Sequence, residues 1–180
     1  MSRLTRETRE TRVQLELGAG DGIETGDAFL DHMLVTLARY GDLSLAVAAG
    51  GDLRHHLVED TAIALGELLA AETPATCARY GHAVVPMDEA LVEVTLDAGG
   101  RPHFEGRLPS GLYEHFFRSL ALHARWTVHV RVIRGRDRHH VVEAAFKALG
   151  LALRQARRED GAVFSTKGAV RTEWEVPDAG

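Results

Sequence analysis

His55-His56-Leu57-Val58-Glu59 and His139-His140-Val141-Val142-Glu143 are one pattern, His-His-x-x-Glu, written once in each half of the chain. Each copy opens an apolar, helix-like run. Each is also preceded by a further histidine, His32 ahead of His55 and His115 ahead of His139, and the two gaps differ by a single position. A motif that recurs with its flanking residues marks an internally duplicated fold. Six imidazoles and two carboxylates in register are also what two metal sites need, and mixed nitrogen and oxygen ligands suit manganese, zinc or iron. One His-His dipeptide on a solvated helix face would carry no such weight. His82, His103 and His123 lack partners of this kind and read as ordinary surface or core residues.

The duplication extends outward from the histidines. Arg12 to Leu17 alternates polar and apolar as a half-buried strand does, and Gly18–Gly22 is the turn after it. Phe29 to Tyr40 has helical spacing, Leu43 to Ala48 is an apolar strand, Gly50-Gly51 breaks it, and His55 to Ala71 is an alanine- and leucine-rich helix. The order recurs in the second half: a strand over Ala90–Asp97, a short strand near His103, a helix over Gly111–Ala124, a strand over Trp126–Arg134 and a helix over His139–Arg157. Each half thus reads strand, strand, helix, strand, helix. Residues 1–78 form the first half-domain, 79–168 the second and 169–180 a tail, with no Pro-, Ser- or Gly-rich linker between the halves. Each half would leave a sheet face and two helices exposed, so the halves are expected to pack around one shared core.

Helix geometry refines the metal reading. At about 100° per residue, positions i and i+4 lie about 40° apart, so His55 shares a face with Glu59 while His56 points about 100° away. Adjacent histidines in this geometry do not easily reach one ion, and each pair is expected to split between two.

Composition narrows the function classes. Hydrophobic residues are 45% and charged residues 26% of the 180, which fits an ordinary folded domain. A net charge of −5 argues against a general nucleic-acid-binding surface but leaves room for a local basic pocket. Cys77 is the single cysteine, so no intrachain disulfide is expected and a reducing compartment fits. The amino-terminal residues Met1 to Glu7 lack the apolar core of a secretory signal, and the longest apolar runs are interrupted by Glu67 or Lys147. A soluble, cytoplasmic protein with no membrane partner is the expectation.

Several motifs, in order, resemble one family. They are Phe29-Leu30-Asp31-His32-Met33-Leu34, His55-His56-x-x-Glu59-Asp60, Met87-Asp88-Glu89-Ala90-Leu91, Glu114-His115-Phe116-Phe117, His139-His140-x-x-Glu143-Ala144-x-Phe146-Lys147-Ala148 and Ser165-Thr166-Lys167-Gly168. From about Arg6 to Gly168 the chain resembles imidazoleglycerol-phosphate dehydratase, the enzyme of histidine biosynthesis that converts imidazole glycerol phosphate to imidazole acetol phosphate and water. The resemblance implies a duplicated α+β fold, a four-helix bundle between two four-stranded mixed sheets. It also implies a homo-oligomer of 24 subunits, with two manganese ions per active site at subunit interfaces holding the substrate imidazole as imidazolate. The metal ligands it implies are His32, His55, His56, Glu59, His115, His139, His140 and Glu143, the same eight residues that the internal repeat selects. It further implies a phosphate pocket of Arg79, Arg101, Lys147, Ser165 and Lys167, and a dianionic phosphate does favour Arg forks, Lys point charges and a hydroxyl donor. Glu10 falls where the family has a carboxylate that touches substrate. Glu10 and Glu143 are the candidate acid and base. His129 and the pair Asp88-Glu89 also match, with structural roles open to them.

Two other readings share the same residues: a di-metal hydrolase of phosphate esters, in which the ions activate water, and a non-catalytic protein assembled by metal. The basic pocket residues argue against the latter.

Overall fold

The structure is a computed structural model that describes residues 1–18, 20 and 22–161. Its elements run β1 (Ser2–Glu7), β2 (Thr11–Leu17), β3 (Ile23–Glu24), α1 (Ala28–Gly41), β4 (Leu45–Gly51), α2 (Arg54–Ala71), β5 (Tyr80–Met87), β6 (Ala90–Asp97), β7 (His103–Gly106), α3 (Gly111–Ala124), β8 (Thr127–Arg134) and α4 (Arg138–Ala156). The strands form two four-stranded mixed sheets of like order, β1-β2-β4-β3 and β5-β6-β8-β7. In each, three strands pair antiparallel and the short fourth pairs parallel to its neighbour. That parallel pair is joined through a helix, because parallel neighbours need a crossover. The expected α+β fold is present.

Each half carries one strand more before its first helix than the sequence order reads; β1 and β5 fall where no strand is read, as does the two-residue β3 that follows the Gly18–Gly22 turn. β1 and β5 are edge strands, where one-sided contact relaxes the demand for clean alternation. β1 is Ser-Arg-Leu-Thr-Arg-Glu, half-buried on alternate residues with Leu4 as its only apolar side chain. β5 contains Gly81 and Pro86, residues that read as strand breakers but are tolerated at an edge.

Alternation decides which sheet faces are buried. Val13, Leu15 and Leu17 of β2 and Val92, Val94 and Leu96 of β6 all face the core. Helices α2 and α1 cover the first sheet, α4 and α3 the second. The closest helix pairs are α2 with α3 and α1 with α4, so each pair joins a long helix of one repeat to a short helix of the other. No helix among the described residues is long and apolar enough to cross a membrane.

Two glycines set how closely these pairs approach, and the offset from Gly66 to Gly150 equals that from His55 to His139. A Cβ on Gly66 of α2 would lie 2.7 Å from the Leu120 carbonyl oxygen and 2.9 Å from the Ala124 nitrogen of α3. On Gly150 of α4 it would lie 2.9 Å from the Gly41 nitrogen and 3.0 Å from the Leu37 oxygen of α1. Backbone atoms cannot rotate away. Gly150→Ala is therefore expected to destabilise the protein despite alanine's helix propensity advantage of about 0.8–1 kcal/mol, since forced repacking costs about 1–3 kcal/mol and the obstacle here is main chain. A thermal unfolding midpoint equal to or above the parent's would show that the helices do not approach this closely.

Candidate metal and active site

The helices of each pair run in the same direction, so all four amino termini meet at one end of the bundle. Phe29 of α1, Arg54 of α2, Gly111 to Tyr113 of α3 and Arg138, His139 and Val142 of α4 line one cavity there, of about 640 Å³. Helix dipoles favour negative charge at such an end. Carboxylates collect accordingly: Asp27 accepts from the Leu30 N–H at 2.9 Å and Asp137 from the His139 N–H at 2.7 Å as helix caps. Glu59 and Glu143 follow in the early turns of α2 and α4.

Around those two glutamates the histidines gather into repeat-related clusters, each with its donor atoms within 4.8 Å of one another. The first joins His55 and Glu59 of α2 to His115 of α3. His55 Nε2 lies 3.6 Å and His115 Nε2 3.0 Å from the Glu59 carboxylate, and the two rings stack with centroids 5.2 Å apart. The second joins His139 and Glu143 of α4 to His32 of α1, with both Nε2 atoms close to Glu143 Oε2, at 3.0 Å and 3.2 Å. Each long helix thus supplies His and Glu from one face, i and i+4, and the short helix of the other repeat supplies the third donor.

Glu143 is buried, and Lys147 one turn further along α4 reaches its Oε1 at 2.9 Å. Burial opposes the charge on Glu143, but Lys147, His32 and His139 outweigh it and hold its pKa below the ordinary value. Lys147 is itself enclosed, its Nζ 3.4 Å from Met87 Sδ.

His56 and His140 belong to neither cluster, as the 100° offset requires. Each instead rests on acidic groups. His56 Nδ1 is 2.9 Å from Asp52 and 3.5 Å from Glu10, which sits at the tip of the β1–β2 turn. His140 Nδ1 is 2.7 Å from Glu89, and its Nε2 is 3.4 Å from Asp88, both in the β5–β6 turn. Asp52 raises the pKa of His56 and Glu89 that of His140. The Asp137 N–H, the His140 ring and the Arg136 N–H together hold Glu89 down at about 2. Asp52 is a site residue the sequence reading overlooked, although its place one helical turn before His56 was a usable signal.

The donor chemistry fits a cation of manganese type, imidazole nitrogen with carboxylate oxygen. His115 Nε2 adds a structural sign: it is buried and makes no hydrogen bond, although a Glu59 oxygen lies 3.0 Å away. A shared ion would satisfy both atoms.

The basic residues divide. Lys147 lies at the second cluster. Arg79 lies at the far end of α4, where its N–H donates to the Ala156 carbonyl at 2.9 Å and its guanidinium holds Asp97 at 2.6 and 3.0 Å. Arg101 is exposed nearby and also acts on Asp97. The structure therefore does not bring Arg79 and Arg101 to Lys147 within one chain. Ser165 and Lys167 lie outside the described residues.

The Arg79–Asp97 pair has a pH signature. Its hydrogen bonds to Arg79, with the Gly99 N–H, hold the Asp97 pKa below its ordinary 3.8. The pair's contribution is thus complete above that value and lost as pH falls through the lower, folded-state pKa. Arg79→Gln is expected to lower the unfolding midpoint near pH 7, with the difference from the parent shrinking as Asp97 protonates in acid. A difference that stays constant from neutral to about pH 2–3, below the ordinary carboxylate range, would assign the effect to packing.

Fold and site together define a class: a duplicated α+β enzyme with paired histidine–carboxylate clusters at the amino-terminal end of its helix bundle. Comparison with known proteins narrows it. The family model for imidazoleglycerol-phosphate dehydratase matches residues 25–153. The imidazoleglycerol-phosphate dehydratase of Anaeromyxobacter sp. (strain K) is 50% identical over 93% of this chain and 90% of its own. The crystal structure of the Pyrococcus furiosus enzyme aligns with a TM-score of 0.87 at 41% identity, covering 93% of this chain and 100% of that one. That of the Staphylococcus aureus enzyme aligns at 0.77 and 32% identity, covering 88% and 99%. The chain belongs to the imidazoleglycerol-phosphate dehydratase family and is a hydro-lyase of histidine biosynthesis.

Proposed function

We propose that the chain removes water from imidazole glycerol phosphate to give imidazole acetol phosphate, with two manganese ions per active site, in a cytoplasmic homo-oligomer of 24 subunits. The observation that carries the reading is the split of each His-His pair. His55 and His139 turn into three-donor clusters within the chain, while His56 and His140 turn outward from them. Each cluster is then short of a histidine that its own chain cannot supply, and an outward histidine of a neighbouring copy is the natural fourth donor.

The basic residues support the same arrangement. Arg79 is bonded at Ala156, at the opposite end of α4 from His139, a separation of about 25 Å along the helix. A small phosphorylated substrate cannot reach from the clusters of one chain to Arg79 and Arg101 of that chain. If those residues hold the phosphate, with Lys147, Ser165 and Lys167, they do so across an interface.

Bound manganese would supply Lewis acidity and a template that keeps the substrate ring as imidazolate. The protein's own groups supply the proton transfers. The reaction expels a hydroxyl and removes a hydrogen from the neighbouring carbon, leaving an enol that becomes the ketone. Glu143 is ionised and fixed between Lys147 and two histidines, which suits a ligand better than a mobile base. Glu10 is half-exposed on a turn and only 3.5 Å from His56, which leaves it free to exchange a proton with substrate. Glu10→Gln is expected to bind substrate and fail in turnover.

The direct test incubates manganese-loaded protein with imidazole glycerol phosphate. Formation of imidazole acetol phosphate with the ester intact supports the proposal. Release of inorganic phosphate would establish the hydrolase instead, and metal binding without any turnover the non-catalytic alternative.

A further inference from the structure

Resting on the metal reading above, we infer that Glu89 and Asp52 are positioning residues, each fixing the tautomer of the histidine that its chain turns outward. An ionised carboxylate can only accept, so the ring nitrogen facing it must donate. Glu89 Oε2 lies 2.7 Å from His140 Nδ1, and Asp52 Oδ1 lies 2.9 Å from His56 Nδ1. Both neutral rings are thereby held with the proton on Nδ1 and the lone pair on Nε2; Asp88, 3.4 Å from His140 Nε2, makes no hydrogen bond with it, so Glu89 at 2.7 Å sets the tautomer. A ligating histidine commonly needs such support to fix its ring and raise its basicity.

The two repeats reach this end by different routes, which is why the sequence pattern conceals it. In the first repeat the carboxylate comes from the loop before α2, one helical turn ahead of its histidine. The position that corresponds to Asp52 in the second repeat is Arg136, which has no carboxylate to offer. The second repeat draws its acceptor from the β5–β6 turn instead. There Glu89 does double duty: Oε1 accepts the Arg136 N–H at 3.0 Å and the Asp137 N–H at 2.7 Å, tying the turn to the amino terminus of α4, while Oε2 takes the ring. Glu10 occupies the corresponding turn of the first sheet. With Asp52 already on His56, Glu10 is released from that duty.

The test uses Glu89→Gln and Asp52→Ala in the full chain. Gln keeps an oxygen for the two backbone N–H groups but offers an NH2 to His140, which forces the proton to Nε2 and blocks the ligand atom. At Asp52 a single oxygen, Oδ1, accepts both His56 Nδ1 and the Leu53 N–H, so Asn could keep that oxygen in place; Ala removes the acceptor outright and leaves nothing to hold the His56 proton on Nδ1. Manganese affinity and stoichiometry are read by paramagnetic resonance titration, and the unfolding midpoint of metal-free protein is read alongside. The expected result is manganese binding weakened about 10–100-fold, the usual loss for such a partner, with the metal-free midpoint unchanged. Parent protein that binds manganese while both variants bind it equally well would overturn this inference alone. Parent protein that binds none would overturn the metal reading beneath it. Should Glu89→Gln unsettle the turn and fail to fold, Asp52→Ala decides by the same criterion.

Discussion

Glu143→Gln is expected to halve the manganese content and abolish turnover. The carboxylate is the hub of its cluster, with His32, His139 and Lys147 all on it. Gln preserves the volume but removes the charge, so the cluster loses its anionic donor and the enclosed Lys147 ammonium loses its counter-ion. The other cluster, His55, Glu59 and His115, stands on the other helix pair and is left intact. Loss of a supporting partner around a metal typically costs about 10–100-fold, so loss of the anionic ligand itself should exceed about 100-fold in activity. Elemental analysis and turnover measured on the same sample decide it. Full manganese content with near-parental activity would remove Glu143 from the site.

A second large effect lies beneath the site, at Asp60. This side chain is buried and takes the Arg6 Nε at 2.8 Å and the Thr11 hydroxyl. It ties the edge strand β1 and the start of β2 to α2, immediately after Glu59. Asp60→Ala would strand a cation and a hydroxyl together. Removing one partner of a buried pair costs about 3–5 kcal/mol, and the lower end is expected here because Arg6 keeps a third of its side chain in water. For a chain of this size that is a fall of roughly 6–12 °C in the unfolding midpoint. Asp60→Asn, which can still accept from Arg6 on its oxygen and donate its NH2 to the Thr11 hydroxyl, should fall less. Equal midpoints for Asp60→Ala and the parent would mean that the contact contributes nothing to stability.

The histidine repeat, the duplicated fold and the divergence of neighbouring histidines were legible because each follows from spacing along a helix. Spacing is local, and it does not name partners. That His115 of α3 joins His55, and His32 of α1 joins His139, depends on which helices pack together, and periodicity is silent on that. The pairing did leave a trace in Gly66 and Gly150, whose offset is that of the histidine repeat. β1 and β5 escaped because edge strands need little apolar alternation, and charge or proline hides them. Asp52 escaped because the repeat was the guide and the second repeat has Arg136 at that position. The phosphate residues came from resemblance alone. Arg79 carries no local mark that separates it from other arginines, and the structure sets it beside Asp97, a helix length from the clusters.

The central claim is that the two clusters of one chain are completed by His56 and His140 of other copies. Metal bound in that way stabilises the assembly, because separated subunits lack the full ligand set. Light scattering of chelated and re-metallated protein tests this most directly. The account predicts that stripping the metal shrinks the particle and that manganese restores both size and activity. Acidification through the range near 6, where histidine titrates, should shrink it likewise, since ligand imidazoles must be unprotonated. A particle whose size ignores the metal while its activity follows it would place the ions wholly within one chain and contradict the account.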